Sequence, residues 1–146
     1  MDKHDLFQQF VAFTTTLHEM THTLTQHVKL DQITTLQYKI LEYIQVSQAV
    51  TATEISDCLH MSLPNTSREL RKLQEKKLID KIGDPEDRRK QVIRLTPTGQ
   101  KLMDEAFSCI EEQFLQFIQH ASPQDVAAIS QALTVLEQHF FSARKY

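Results

Sequence analysis

TATEISDCLHMSLPNTSRELRKLQEKKLIDKIGDPEDRRKQVIRL, residues 51–95, is the stretch that decides the fold. Thr51-Ala52-Thr53-Glu54 has the spacing of a capping box, in which a Thr hydroxyl and a Glu carboxylate take up backbone N–H groups left unpaired at a helix start. Ile55, Cys58 and Leu59 then form a short apolar stripe, and this helix is expected to end near His60. Ser62 is a good N-cap for the next helix. Pro64 is tolerated in the first turn, where its missing N–H would have no partner anyway. Leu70 and Leu73 face inwards, with Leu63 and Ser67 beside them. Helix, three-residue turn and helix make a helix-turn-helix. Leu78 to Ile82 and Gln91 to Leu95 are short, rich in β-branched residues and roughly alternating, with the polar segment Gly83 to Lys90 between them. They read as a β-hairpin with a charged tip. A helix-turn-helix followed by such a hairpin is a winged helix.

The flanks read as helices. Upstream, Leu6, Phe7, Phe10, Val11, Phe13, Leu17, Met20, Leu24 and Val28 recur in steps of threes and fours, giving one long amphipathic helix from Asp5 to about Val28. Its stripe needs a cover, and a partner chain is the expected one. Thr34 and Gln37 form a second capping box, and Leu36, Ile40, Leu41 and Ile44 are the expected buried face of a helix ending near Val46. Downstream, Thr96-Pro97 caps a long helix to about Gln119. Ser122-Pro123-Gln124-Asp125 opens a last one carrying Val126, Ile129, Leu133, Leu136, Phe140 and Phe141. The fold class is mainly α: a winged helix-turn-helix with a small β-hairpin wing, flanked by long N- and C-terminal dimerisation helices. Residues 1–30 and 97–146 are assigned to a helical dimerisation region and residues 31–96 to the DNA-binding domain.

Composition agrees. Only 2 Gly and 4 Pro in 146 residues argue against a turn-rich β-sandwich, and 40% hydrophobic residues suffice for a core. No stretch approaches the ~18 to 20 apolar residues that a bilayer span needs. The start, Met1-Asp2-Lys3-His4-Asp5, lacks the pattern of a signal peptide, and two cysteines cannot make a disulfide scaffold, so a reduced, cytoplasmic protein is expected. Residues 68–94 hold ten Lys or Arg against six acids, +4, which leaves −7 for the rest of a chain of net charge −3. A basic centre in an acidic chain suggests a polyanion partner. Charge alone fits a solvated helix equally well, and the helix-turn-helix is what turns the balance.

At the wing the residues become specific. Asp84-Pro85-Glu86-Asp87-Arg88-Arg89-Lys90-Gln91-Val92-Ile93-Arg94-Leu95-Thr96-Pro97-Thr98-Gly99 resembles the wing and following helix start of the MarR family of bacterial transcriptional regulators. Ile33 to Leu41 resembles that family's second helix, and Thr53-Glu54-Ile55 with Leu70-Arg71-Lys72-Leu73 its helix-turn-helix. The resemblance runs in order over roughly residues 30–105. It implies a DNA-binding regulator, more often a repressor, and not an enzyme. One departure is Lys77, where the family commonly has Gly; a Lys in a left-handed cap carries strain.

In a helix-turn-helix the second helix lies in the major groove with its first turns nearest the bases. Pro64, Asn65, Thr66 and Arg68 are its expected base-facing residues: Arg68 can grip a guanine with two hydrogen bonds, Asn65 an adenine, and Pro64 can touch a thymine methyl. Ser62, Ser67, Arg71 and Lys72 suit phosphates, which position without reading sequence. Ser62 as a plain cap and Arg71 as a plain surface residue are the bland alternatives. Arg88, Arg89 and Lys90 at the wing tip can reach a narrow minor groove, whose negative potential draws arginine. By resemblance, Asp87 orients the wing arginine and Arg89 matches the groove-inserting position, with Arg88 the alternative. The expected partners are double-stranded DNA, a second copy of the chain and a small aromatic ligand, with no membrane and no cofactor.

Three rival signals exist. His18-Glu19-Met20-Thr21-His22 fits H-E-x-x-H on a helix, with two imidazoles one turn apart. As a zinc hydrolase signature it lacks a third ligand and a cleft. As a metal sensor it needs a third ligand from Glu105, Glu111, Glu112 or a partner chain. Cys58 on a packed stripe and Cys109 in a long helix read as small hydrophobes, since a redox switch needs an accessible, low-pKa thiolate. In the family resembled, aromatic acids and phenols bind between the winged helix and the dimerisation helices; here Tyr38, Tyr43, His18 and His22 are the candidates to line such a cleft.

Overall fold

The computed structural model describes residues 1–26, 28, 32–83, 86–87 and 90–141. Among the described residues, six helices and one hairpin follow in the order α1 (Lys3–Thr25), α2 (Thr35–Ser47), α3 (Ala52–Leu59), α4 (Leu63–Glu75), β1 (Ile79–Gly83), β2 (Gln91–Leu95), α5 (Pro97–Phe117) and α6 (Pro123–Phe140). Among the described residues, no helix is long and apolar enough to cross a membrane. The chain divides into two compact units, residues 1–110 and 111–146.

Side-chain caps set the helix starts. Thr34 and Gln37 close a full capping box on α2, and Ser122 and Asp125 do so on α6. On α3 the Thr51 hydroxyl accepts from the Glu54 N–H and donates to its carboxylate, 3.3 Å away. The core of the first unit gathers Ile40, Leu41 and Ile44 from α2, Ile55 from α3, Leu70 and Leu73 from α4, Ile79 and Ile93 from the hairpin, and Met103 from α5. β1 and β2 pair antiparallel with Ile79 opposite Leu95 and Gly83 opposite Gln91. Val50 adds a bridge to Ile93, with hydrogen bonds of 3.2 and 2.7 Å, and so ties the helix-turn-helix to the wing.

Two expectations about the core need correcting. Leu36 is exposed on α2, and Gln37 is buried instead, because it stands three, four and seven residues before Ile40, Leu41 and Ile44. Cys58 is exposed. The packed stripe of α3 is Ala52, Ile55, Ser56 and Leu59, with the Ser56 hydroxyl bonded to the Thr53 carbonyl at 2.8 Å. Cys109 is partly buried.

The corner after α4 closes with the Leu78 N–H on the Leu73 carbonyl (3.1 Å) and the Lys77 N–H on the Gln74 carbonyl (2.9 Å). This two-bond cap needs a left-handed residue, and Lys77 takes that position with φ 60°. A side chain there costs roughly 1 to 2 kcal/mol, and the greater unfolded freedom of glycine returns about half. Lys77→Gly is therefore expected to stabilise the fold by about 0.5 to 1 kcal/mol in urea denaturation.

The first and last helices each leave apolar residues exposed. α1 buries no residue, and Leu6, Phe7, Val11, Phe13 and Leu17 are all exposed. In the second unit α6 likewise buries none, with Val126, Ile129, Leu133 and Phe140 exposed.

Candidate nucleic-acid interface

α4 has two faces because its packed residues sit on one stripe; Leu63, expected beside Leu70 and Leu73, is instead exposed in the first turn. Thr66, Leu70 and Leu73, spaced by four and three, are fully packed, and the opposite side is polar. Ser62 caps the helix by accepting from the Asn65 N–H at 3.3 Å, and Pro64 fills the first turn. Ser62, Pro64, Asn65, Arg68, Arg71 and Lys72 are exposed, and Ser67 is half-buried. Arg68 Nη2 donates to Asn65 Oδ1, so the two expected base readers are held side by side. Thr66 is a correction: it is 0% exposed and its hydroxyl donates to the Ser62 carbonyl at 2.9 Å, so it cannot face a base. The spacing to Leu70 and Leu73 carried that signal in the sequence. His60, at the expected end of α3, sits in the turn at φ 53°. With Leu36, Ser62, Asn65, Arg68 and Lys72 it borders a depression of about 460 Å³ along α4.

A hydrogen-bond network locks α4 to α2. The buried Gln37 amide donates to Glu69 Oε2 at 3.1 Å, and its oxygen accepts from the Thr34 N–H (3.2 Å) and from Lys76 Nζ (3.0 Å). Lys76 Nζ also donates to the Gln32 carbonyl. Glu69 Oε1 pairs with Lys72 Nζ at 3.3 Å. The Gln37 hydrogen bond first, and Lys72 after it, hold the Glu69 carboxyl below its ordinary pKa against the opposing effect of burial. A group with a lowered folded pKa adds stability above its unfolded pKa and loses it as pH falls through the folded one. Acid should therefore destabilise the wild type more than Glu69→Gln between about pH 5 and 3, as read by urea midpoints at stepped pH.

At the wing, Asp87 is half-buried and its carbonyl accepts from the Lys90 N–H at 3.0 Å, while Lys90 is exposed. Arg88 and Arg89, with Asp84 and Pro85, lie outside the described residues.

Away from α4, a cavity of about 580 Å³ lies between α1 and the start of α2. His18, His22, Ile33, Tyr38 and Glu42 are among its walls; Tyr43 is not, and instead packs on the core. The Tyr38 hydroxyl is buried without a hydrogen bond of ordinary geometry. Burial first, then the Glu42 carboxylate, pushes its phenol pKa up. Among the described residues, no three His, Cys, Asp or Glu side chains come together as a metal ion would require.

Comparison with known proteins follows the same outline. A profile of the MarR family matches residues 31–90. The uncharacterised HTH-type transcriptional regulator YsmB of Bacillus subtilis (strain 168) is 23% identical over 105 residues, 72% of this chain and 72% of YsmB. Among solved structures, a MepR mutant from a multidrug-resistant S. aureus clinical isolate is similar with a TM-score of 0.72 at 28% identity, over 89% of this chain and 95% of that one. Another S. aureus MepR mutant, bound to an oligodeoxyribonucleotide, is 28% identical with a TM-score of 0.59, over 89% and 96% of the two chains.

Proposed function

We propose that the chain, whose residues 31–90 match the MarR family profile, is a DNA-binding transcriptional regulator of that family and not an enzyme, and that it acts as a homodimeric repressor reading a pseudo-palindromic operator in the cytoplasm. One observation carries the DNA-reading part. α4 buries Thr66, Leu70 and Leu73 and turns Asn65, Arg68, Arg71 and Lys72 outwards on an otherwise acidic chain. Asn65 and Arg68 read bases, with Pro64 against a thymine methyl; Ser62, Ser67, Arg71 and Lys72 hold phosphates. Asp87, Arg88, Arg89 and Lys90 serve the minor groove, with Arg89 the inserted residue.

Two copies are needed because a palindrome presents two half-sites about one helical turn, ~34 Å, apart. The exposed apolar faces of α1 and of α6 support a second copy as their cover, since apolar area of this extent is rarely left to water. Residues 1–30 and 97–146 are then the dimerisation region and 31–96 the DNA-binding domain. Light scattering is expected to give a dimer, and a concentrated monomer would refute it. Arg89→Ala is expected to weaken operator binding by roughly 1 to 3 kcal/mol in a mobility-shift titration. Unchanged binding would remove Arg89 from that role.

The cavity beside Tyr38 supports relief by a small aromatic ligand. Its buried hydroxyl lacks a good partner, and a ligand acceptor there would restore one. Such a ligand lowers DNA affinity by its preference for the poorly spaced dimer, and by no more.

A further inference from the structure

Glu69 is the acid on the DNA-facing helix that is tied on both oxygens. Gln37, 2% exposed, holds Oε2 from below at 3.1 Å, and Lys72 holds Oε1 from the solvent side at 3.3 Å. The two ties differ in freedom. The Gln37 amide is itself fixed by Thr34 and Lys76, and the Glu69 side chain is only 17% exposed, whereas that of Lys72 is 59% exposed. The ammonium can leave; the carboxylate cannot follow it. A phosphate approaching Lys72 therefore meets a carboxylate already placed beside it.

We infer that Glu69, anchored by Gln37, is a positioning residue that occupies the Lys72 ammonium in the free protein and competes for it with the DNA backbone. This rests on the reading of Lys72 as a phosphate contact. The competition is independent of sequence, because phosphates carry no sequence information. It is mild, because an exposed ion pair is worth little. Its effect is to restrain general duplex binding and leave the base contacts of Asn65 and Arg68 to decide where the protein stays.

The test uses the full-length protein and a random-sequence duplex. Glu69→Gln keeps the shape, and its amide oxygen can still accept from Gln37, but it carries no charge. It is expected to bind about two- to fivefold tighter at ~0.1 M salt. The slope of log affinity against log salt is expected to steepen by up to about 0.9. Both changes should vanish when Lys72→Ala is already present. Lys72→Ala alone should flatten the slope and weaken all sequences alike. If it does not, Lys72 touches no phosphate and the inference falls with that reading. If Lys72→Ala flattens the slope while Glu69→Gln leaves affinity and slope unchanged, or weakens binding, Glu69 is only structural and the inference alone is overturned. Should Glu69→Gln not fold, carbon NMR of the wild type decides: the Glu69 carboxyl must titrate at higher pH with duplex bound than without. No rise would overturn the inference.

Discussion

Replacing Gly99 by alanine is expected to destabilise the folded chain by about 3 kcal/mol. At this chain length that lowers the melting temperature by roughly 6 to 12 °C. The reason is room. A Cβ at Gly99 would lie 2.1 Å from the Leu78 carbonyl oxygen and 3.0 Å from its carbon, both backbone atoms. That carbonyl cannot step aside freely, because it accepts from the Thr96 N–H at 3.1 Å. Thr96 is fixed in turn: its hydroxyl donates to the Lys77 carbonyl at 2.7 Å and accepts from the Gly99 N–H at 3.0 Å. A methyl group would thus pry the start of α5 from the corner between α4 and the wing. Gly83 is the control, since a Cβ there meets nothing within 4 Å. Gly83→Ala should be neutral or slightly stabilising, as it only narrows the unfolded ensemble. A Gly99→Ala protein that melts with the wild type would show the corner to be looser than drawn.

Arg68→Ala is expected to cost roughly 1 to 3 kcal/mol on the best operator, about five- to 150-fold, and to relax discrimination at one base pair. Arg68 is exposed in the second turn of α4, and its bond to Asn65 holds the guanidinium beside the other base reader. A guanidinium offers two parallel donors that match the two acceptors on a guanine edge. Lysine has no such fork, so Arg68→Lys should not restore selectivity even though it restores charge. Competition titrations with single-base operator variants read this directly. Equal losses on every variant would make Arg68 a phosphate contact instead.

Much of this structure was legible in the sequence, and the failures share a physical cause. The capping residues Thr34, Gln37, Ser62, Ser122 and Asp125 act locally, so the helix starts they mark could be read from spacing alone. The hairpin register follows from alternation, and Ile79 and Ile93 do face the core. Burial was misjudged where polarity and position disagree. Thr66 and Gln37 are polar but stand on the packed stripes of α4 and α2; the fold keeps them because the Ser62 carbonyl, Glu69 and Lys76 satisfy their polar atoms. Leu36 and Cys58 are apolar but stand off the packed stripes of α2 and α3. Helical periodicity was the better guide in all four cases. The Gln37–Glu69 contact spans 32 residues and left no local trace in the sequence. The wing-tip reading of Arg88 and Arg89 rests on sequence, since both lie outside the described residues.

The most direct test is a selection of bound duplexes from a random pool by the purified full-length chain at low salt. The expected result is a pseudo-palindrome whose half-sites lie about ten base pairs apart, bound by two chains per duplex. Failure to retain any duplex above a protein-free control would contradict the assignment of α4 as the DNA-reading helix.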